Sequence, residues 1–127
     1  MNVVIDSSGW IEYARNGPRA ESFTKWISKA NDSNYLTPAS ILFEVDRKLR
    51  KENMERPADD IVAFIIQNTM IIPLDSWLAL EASEVSREEN LAFADSIVRA
   101  VAKRYNAVIV TADRDFKGLD NVELIEK

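Results

Sequence analysis

Histidine and cysteine are both absent from the chain, and each absence removes chemistry. Without them there is no ordinary zinc site, no Ser/His/Asp or Cys/His nucleophile, and no histidine acid–base pair of the kind a metal-free ribonuclease needs. A hydrolase written in this sequence has to work with carboxylates or with a metal ion. The lack of cysteine also forbids a disulfide framework, which fits a reducing compartment. Glycine and proline are scarce, at three and four residues, so neither a flexible linker nor a disordered tail is expected. No Gly-rich phosphate loop follows any candidate strand, which argues against Walker-type and dinucleotide sites. The longest apolar run, Ile61 to Ile66, is too short to span a bilayer. Neither a basic segment nor a cleavage pattern surrounds Val3-Val4-Ile5, so a cytoplasmic protein without membrane association is expected.

An excess of positive charge is missing as well. Lys plus Arg number 16 against 21 Asp plus Glu, a net charge of −5, which argues against gripping nucleic acid by bulk electrostatics. Basic residues are dense only at Arg47-Lys48-Leu49-Arg50-Lys51, whose default role is a solvated helix face. A bound metal ion, however, inverts the local field where a phosphate would sit.

Apolar residues make up 46% of the 127 positions, enough to build one core, and a single domain over 1–127 is expected. Short β-rich runs alternate with stretches of helical period, the pattern of an α/β domain with a mainly parallel sheet. The strands read as Asn2 to Ile5, Tyr35 to Thr37, Met70 to Ile72, Ala107 to Thr111 and Val122 to Ile125. Between them, Phe23, Trp26, Ile27 and Ala30 mark a helix over Arg19 to Ala30. Pro38 opens a helix carrying Ile41, Leu42, Val45 and Leu49. Ile61, Val62, Ile65 and Ile66 mark another, and Leu78, Ala82 and Val85 a fourth with Asp75 or Ser76 as N-cap. Phe93, Ile97, Val101 and Tyr105 form the stripe of the last helix.

Ligands in open α/β sheets gather at the carboxyl ends of parallel strands. Asp6 directly follows the first strand and Asp113 follows the strand ending at Thr111. Glu44 and Asp95 lie early in helices that reach the same end of the sheet. Carboxylate oxygens suit Mg²⁺ and Mn²⁺, and ionised carboxylates ~5 Å apart repel by about 3 kcal/mol at an effective dielectric of ~20. Such a group calls for a cation. Each acid also has an ordinary explanation. Asp6 could cap a helix, Glu44 could pair with Lys48 at i, i+4, Asp95 could face a helix dipole, and Asp113 and Asp115 could form a turn. Asp95, set among Leu91-Ala92-Phe93-Ala94 and Ile97-Val98, is the costliest to leave without a role.

In this order the acids match a known pattern. Val3-Val4-Ile5-Asp6-Ser7-Ser8, Pro38 to Val45 with Glu44, Ala94-Asp95-Ser96-Ile97-Val98-Arg99-Ala100 and Val110-Thr111-Ala112-Asp113-Arg114-Asp115-Phe116 resemble four segments of the PIN-domain ribonucleases. Among these, the chain is similar to the single-domain VapC-like toxin of VapBC-type toxin–antitoxin pairs. The resemblance covers almost the whole chain. It implies a PIN-like three-layer α/β/α fold and an endoribonuclease that cleaves RNA with Mg²⁺, for which Mn²⁺ substitutes. By the resemblance Asp6, Glu44, Asp95 and Asp113 would be the metal ligands and Asp115 would support them or hold a second ion. Thr111 or Ser7 would lend a hydroxyl that orients water or a carboxylate. It also implies a homodimer and a cognate antitoxin protein docking in an apolar groove. Trp10, Tyr13, Phe43 and Trp77 are candidate anchors there, although aromatics at helical spacing more often belong to the core.

Three rival readings meet particular residues. A receiver-type signalling domain wants an acidic pair after the first strand and an aspartate ending the third, where this chain has Asp6-Ser7 and Pro73-Leu74-Asp75. A haloacid-dehalogenase-type phosphatase needs Asp-x-Asp after its first strand, and Ser8 fills the second place. A catalytically silent PIN-like binding module would have lost acids that are present here.

Overall fold

In the computed structural model, which describes residues 1–126, the chain begins with β1 (Asn2–Ile5), whose Val3, Val4 and Ile5 are all buried. Burial of consecutive side chains means that both faces of the strand are covered, as in the centre of a parallel sheet. The partner β4 (Ala107–Thr111) runs parallel to it, with Ile5 opposite Val110. Next to β4 lies β5 (Val122–Leu124). On the other side, β2 (Leu36–Pro38) pairs with β3 (Met70–Ile72), and a parallel bridge from Val3 to Tyr35 sets β2 beside β1. The order across the sheet is β3-β2-β1-β4-β5, with every pairing parallel.

The helices are α1 (Ser7–Arg15), α2 (Ala20–Ile27), α3 (Ala39–Lys51), α4 (Glu55–Asn68), α5 (Ser76–Glu89) and α6 (Phe93–Tyr105). α5 packs on α6, which lies along β1, β2 and β4, whereas α1 packs with α2, α3 and α4. Three layers result, α/β/α, with one core through the sheet.

With glycine scarce, asparagine makes the left-handed turns. Asn16, Asn90 and Asn106 end α1, α5 and α6 at φ 55°, 56° and 52°, a conformation asparagine tolerates because its short amide bonds locally. Asp75 caps α5 by accepting from Leu78 N–H at 2.9 Å, as its position in the sequence suggests.

Several elements differ from the sequence expectation. α1 is additional to the helices read from apolar spacing, and Gly9 is its contact with the core. A Cβ at that position would stand 2.7 Å from Phe23 Cε1 and 2.8 Å from Ile5 Cγ2. The expected Arg19 to Ala30 helix is shorter, Ala20–Ile27. Pro38 ends β2 at ψ 139° rather than opening α3, which starts at Ala39. Phe93 is 71% exposed, so the buried face of α6 starts at Ser96 and Ile97. Trp10 is fully buried, its ring 6.1 Å from that of Phe64, so it belongs to the core and is no docking anchor.

Candidate active site

Parallel pairing of β1 with β4 brings their carboxyl ends level, and the acids follow. Asp6 leaves β1 beside Val110, donating its N–H to the Val110 carbonyl at 3.0 Å. Its side chain makes no cap bond to α1, so the helix-cap reading fails. Instead Asp6 Oδ2 accepts from the Thr111 hydroxyl at 2.8 Å and from the Ser8 hydroxyl at 3.1 Å. Those two hydroxyls are themselves aimed by backbone donors: Asp113 N–H gives to Thr111 Oγ1 at 2.9 Å and Ala112 N–H to Ser8 Oγ at 3.0 Å. Asp6 is only 4% exposed and Thr111 wholly buried, so this carboxylate is locked in orientation. The orienting hydroxyl expected at Thr111 or Ser7 is found at Thr111, with Ser8 beside it, and Ser7 moderates the rise of the Glu44 pKa.

Glu44 reaches the same place from the second turn of α3, and Asp95 from the first turn of α6. Asp113 stands just beyond β4, where its Oδ1 accepts from Asp115 N–H at 2.9 Å. The turn role weighed for Asp113 is therefore real, and it leaves the other oxygen available. Asp95, Asp113 and Asp115 each offer an oxygen within 4.8 Å of the others.

The electrostatics record the crowding. Burial pushes the Asp6 carboxyl above its ordinary range against the pull of the Thr111 and Ser8 hydroxyls, and the Asp113 charge adds to the rise. Glu44 is raised by burial and then by Asp6 and Asp113. Asp95 is pushed up to about 7, first by burial and then by the charges of Asp113, Asp6, Asp115 and Glu44. Like charges in a poorly solvated pocket favour the protonated form. Among the described residues, no Lys or Arg is ion-paired to any of these acids. A donor set of hard oxygens, converging and without a protein cation, fits Mg²⁺ or Mn²⁺.

The acids line an open cleft of about 500 Å³. One lining residue escaped the sequence reading. Glu12 of α1 is buried and accepts from Arg19 N–H at 2.7 Å, tying down the entry to α2. Gly17 exists for it, since a Cβ there would lie 2.6 Å from the Glu12 carboxyl. An acid in the middle of a short amphipathic helix carries no local signal of that bond.

Strand-end carboxylates in a parallel α/β sheet define the class as an acid-centred α/β domain. A family model, PIN domain, matches residues 3–122, and the chain belongs to the PIN domain family. No curated protein matches it. Solved structures do. A toxin–antitoxin complex from Klebsiella pneumoniae aligns at TM-score 0.79 and 16% identity, covering 99% of each chain. A VapC toxin from Mycobacterium tuberculosis, described as cleaving the sarcin–ricin loop, aligns at TM-score 0.76 and 19% identity over 94% of this chain and 95% of that one. VapBC2 from Rickettsia felis, bound to a fragment of its promoter DNA, aligns at TM-score 0.71 and 15% identity over 98% and 97%. At these identities the likeness is one of fold.

Proposed function

We propose that the protein is a Mg²⁺- or Mn²⁺-dependent endoribonuclease acting as the toxin of a toxin–antitoxin pair. The observation that carries this reading is that Asp6, Glu44, Asp95 and Asp113 line one cleft, ion-paired to no Lys or Arg among the described residues, where burial and then the neighbouring acids push Asp95 up to about 7. These four acids would hold the ion, with Asp115 at the outer edge. A bound divalent ion supplies Lewis acidity and brings the pKa of water toward neutrality, which replaces the histidine that the chain lacks.

The chain's own residues position and aim. Ser8 and Thr111 hold Asp6 in one rotamer, so its carboxylate needs no reorganisation when a phosphodiester arrives. Asp113, anchored at one oxygen by Asp115 N–H, keeps the other directed into the cleft. Membership of the PIN family and the toxins among the neighbours support RNA as substrate, a cognate antitoxin as partner, and a homodimer. No helix among the described residues is long and apolar enough to cross a membrane.

The test is direct. Purified protein should cleave a mixed RNA pool in Mn²⁺ or Mg²⁺ and fall silent in EDTA, and Asp95→Asn should abolish cleavage while the melting curve stays cooperative. Equal cleavage with EDTA present, or full activity of Asp95→Asn, would sink the reading.

A further inference from the structure

Glu44 shares the cleft with groups of the opposite chemistry. Phe43, Arg47 and Arg19 line it too. The core-facing residues of α3 are Ile41, Val45 and Leu49, so Phe43 is left outside and is 66% exposed. Arg47, four residues on, lies on the same face. Neighbouring cations are already engaged: Arg15 and Lys48 both pair with Glu52, and Arg50 with Asp46 and Asp59. Arg47 and Arg19 belong to no ion pair among the described residues. Arg19 Nε has no hydrogen-bond partner among the described residues.

Guanidiniums and carboxylates thus line one cleft without pairing with each other, and an exposed aromatic ring lines it with them. A ligand that bears anionic groups and flat rings in alternation answers all three. Guanidinium forks match phosphate oxygens, and a nucleobase stacks on an aromatic face only when it is free of a duplex.

We propose that Phe43 is a stacking platform for an unpaired nucleobase next to the scissile phosphate, with Arg47 and Arg19 holding flanking phosphates. This rests on the reading of the cleft as a ribonuclease site. A protein segment is disfavoured as occupant because the exposed ring shares its cleft with unpaired guanidiniums and carboxylates rather than lining an apolar groove.

The test uses the full-length protein and a fluorescently labelled single-stranded 2′-O-methyl octanucleotide in Mg²⁺, read by anisotropy, beside cleavage of single-stranded and fully paired RNA in Mn²⁺. Phe43→Ala should weaken binding roughly five- to a hundredfold, and Phe43→Trp should restore it. Arg47→Ala and Arg19→Ala should each lower the slope of log affinity against log salt by about 0.7. Trp77→Ala, at 75% exposed an equally open aromatic outside the cleft, should change nothing. Duplex RNA should be bound and cut poorly by wild type. If Phe43→Ala binds and cuts like wild type while cleavage stays metal-dependent, the platform is wrong, the ring serves a protein partner, and the nuclease reading stands. Duplex bound as well as single strand overturns the proposal equally. If nothing is cut but octanucleotide binding still depends on Phe43 and Arg47, the platform holds and the nuclease reading falls.

Discussion

Thr111 has no charge and no exposure, yet it couples the acids through one hydroxyl. It gives its proton to Asp6 and takes one from Asp113 N–H. Thr111→Val keeps the β-branched shape but removes both bonds, so metal affinity or cleavage should fall roughly 10- to 100-fold, measurable as the Mn²⁺ concentration at half-maximal rate. Asp95 adds a pH dependence. Its carboxyl moves from 3.8 to about 7 on folding, so the folded state binds the proton more tightly. That contribution to stability is complete below the unfolded value and lost as pH rises through the folded one. The metal-free protein should therefore lose melting temperature as pH climbs from about 4 to about 7, with no further loss from this group above that range. Asp95→Asn should flatten the slope. Mn²⁺ should raise the melting temperature more at about pH 8 than at about pH 5, because protons compete for the same oxygens. A pH-independent melting curve would contradict this account.

Each helix near the cleft does two jobs. α1 buries Gly9 and Trp10 while its first turn presents Ser8 to Asp6. Gly9→Ala forces a methyl against Phe23 and Ile5, which should cost about 1–3 kcal/mol in urea unfolding and lower activity in the surviving folded protein by displacing Ser8. α3 turns Ile41, Val45 and Leu49 inward and Glu44 toward the acids. The periodicity of α3, α4, α5 and α6 was legible because apolar spacing is a local property. α1 was not read from apolar spacing, because its contact with the core runs through Gly9 against Phe23 and Ile5. Phe93 failed for the same reason in reverse: its spacing fits the stripe, but the first turn of α6 has nothing to pack against on that side.

Across the whole molecule, Arg99 ties distant pieces together. Buried on α6, it pairs with Glu89 at the end of α5 at 2.8 Å, and with the Asp120 side chain and carbonyl ahead of β5. Hydrogen bonding to Arg99, then to Lys103, holds Glu89 below its ordinary range, so this contribution is present above the unfolded pKa and lost as pH falls through the folded one. Removing one partner of a buried pair is costly, and Arg99→Met should destabilise by roughly 3 kcal/mol, read from the urea midpoint. Asp95 and Glu89 therefore contribute opposing slopes, the first losing stability as pH rises toward about 7 and the second as pH falls.

Composition and order alone indicated that any hydrolysis here would be carboxylate chemistry, that the chain is a parallel α/β domain, and that Asp6, Glu44, Asp95 and Asp113 are the residues to watch. These follow from residue type, strand-end position and local period. Tertiary structure alone decided that Asp6 is held by hydroxyls rather than capping a helix, that Ser8 joins Thr111 in holding it, that Glu12 anchors Arg19, and that Phe43 stays outside while Trp10 goes in. The physical reason is common to all four. A side chain's partner across the sheet or cleft lies up to 105 positions away, as Thr111 does from Asp6, and no local pattern records which of its possible bonds the closed fold leaves it.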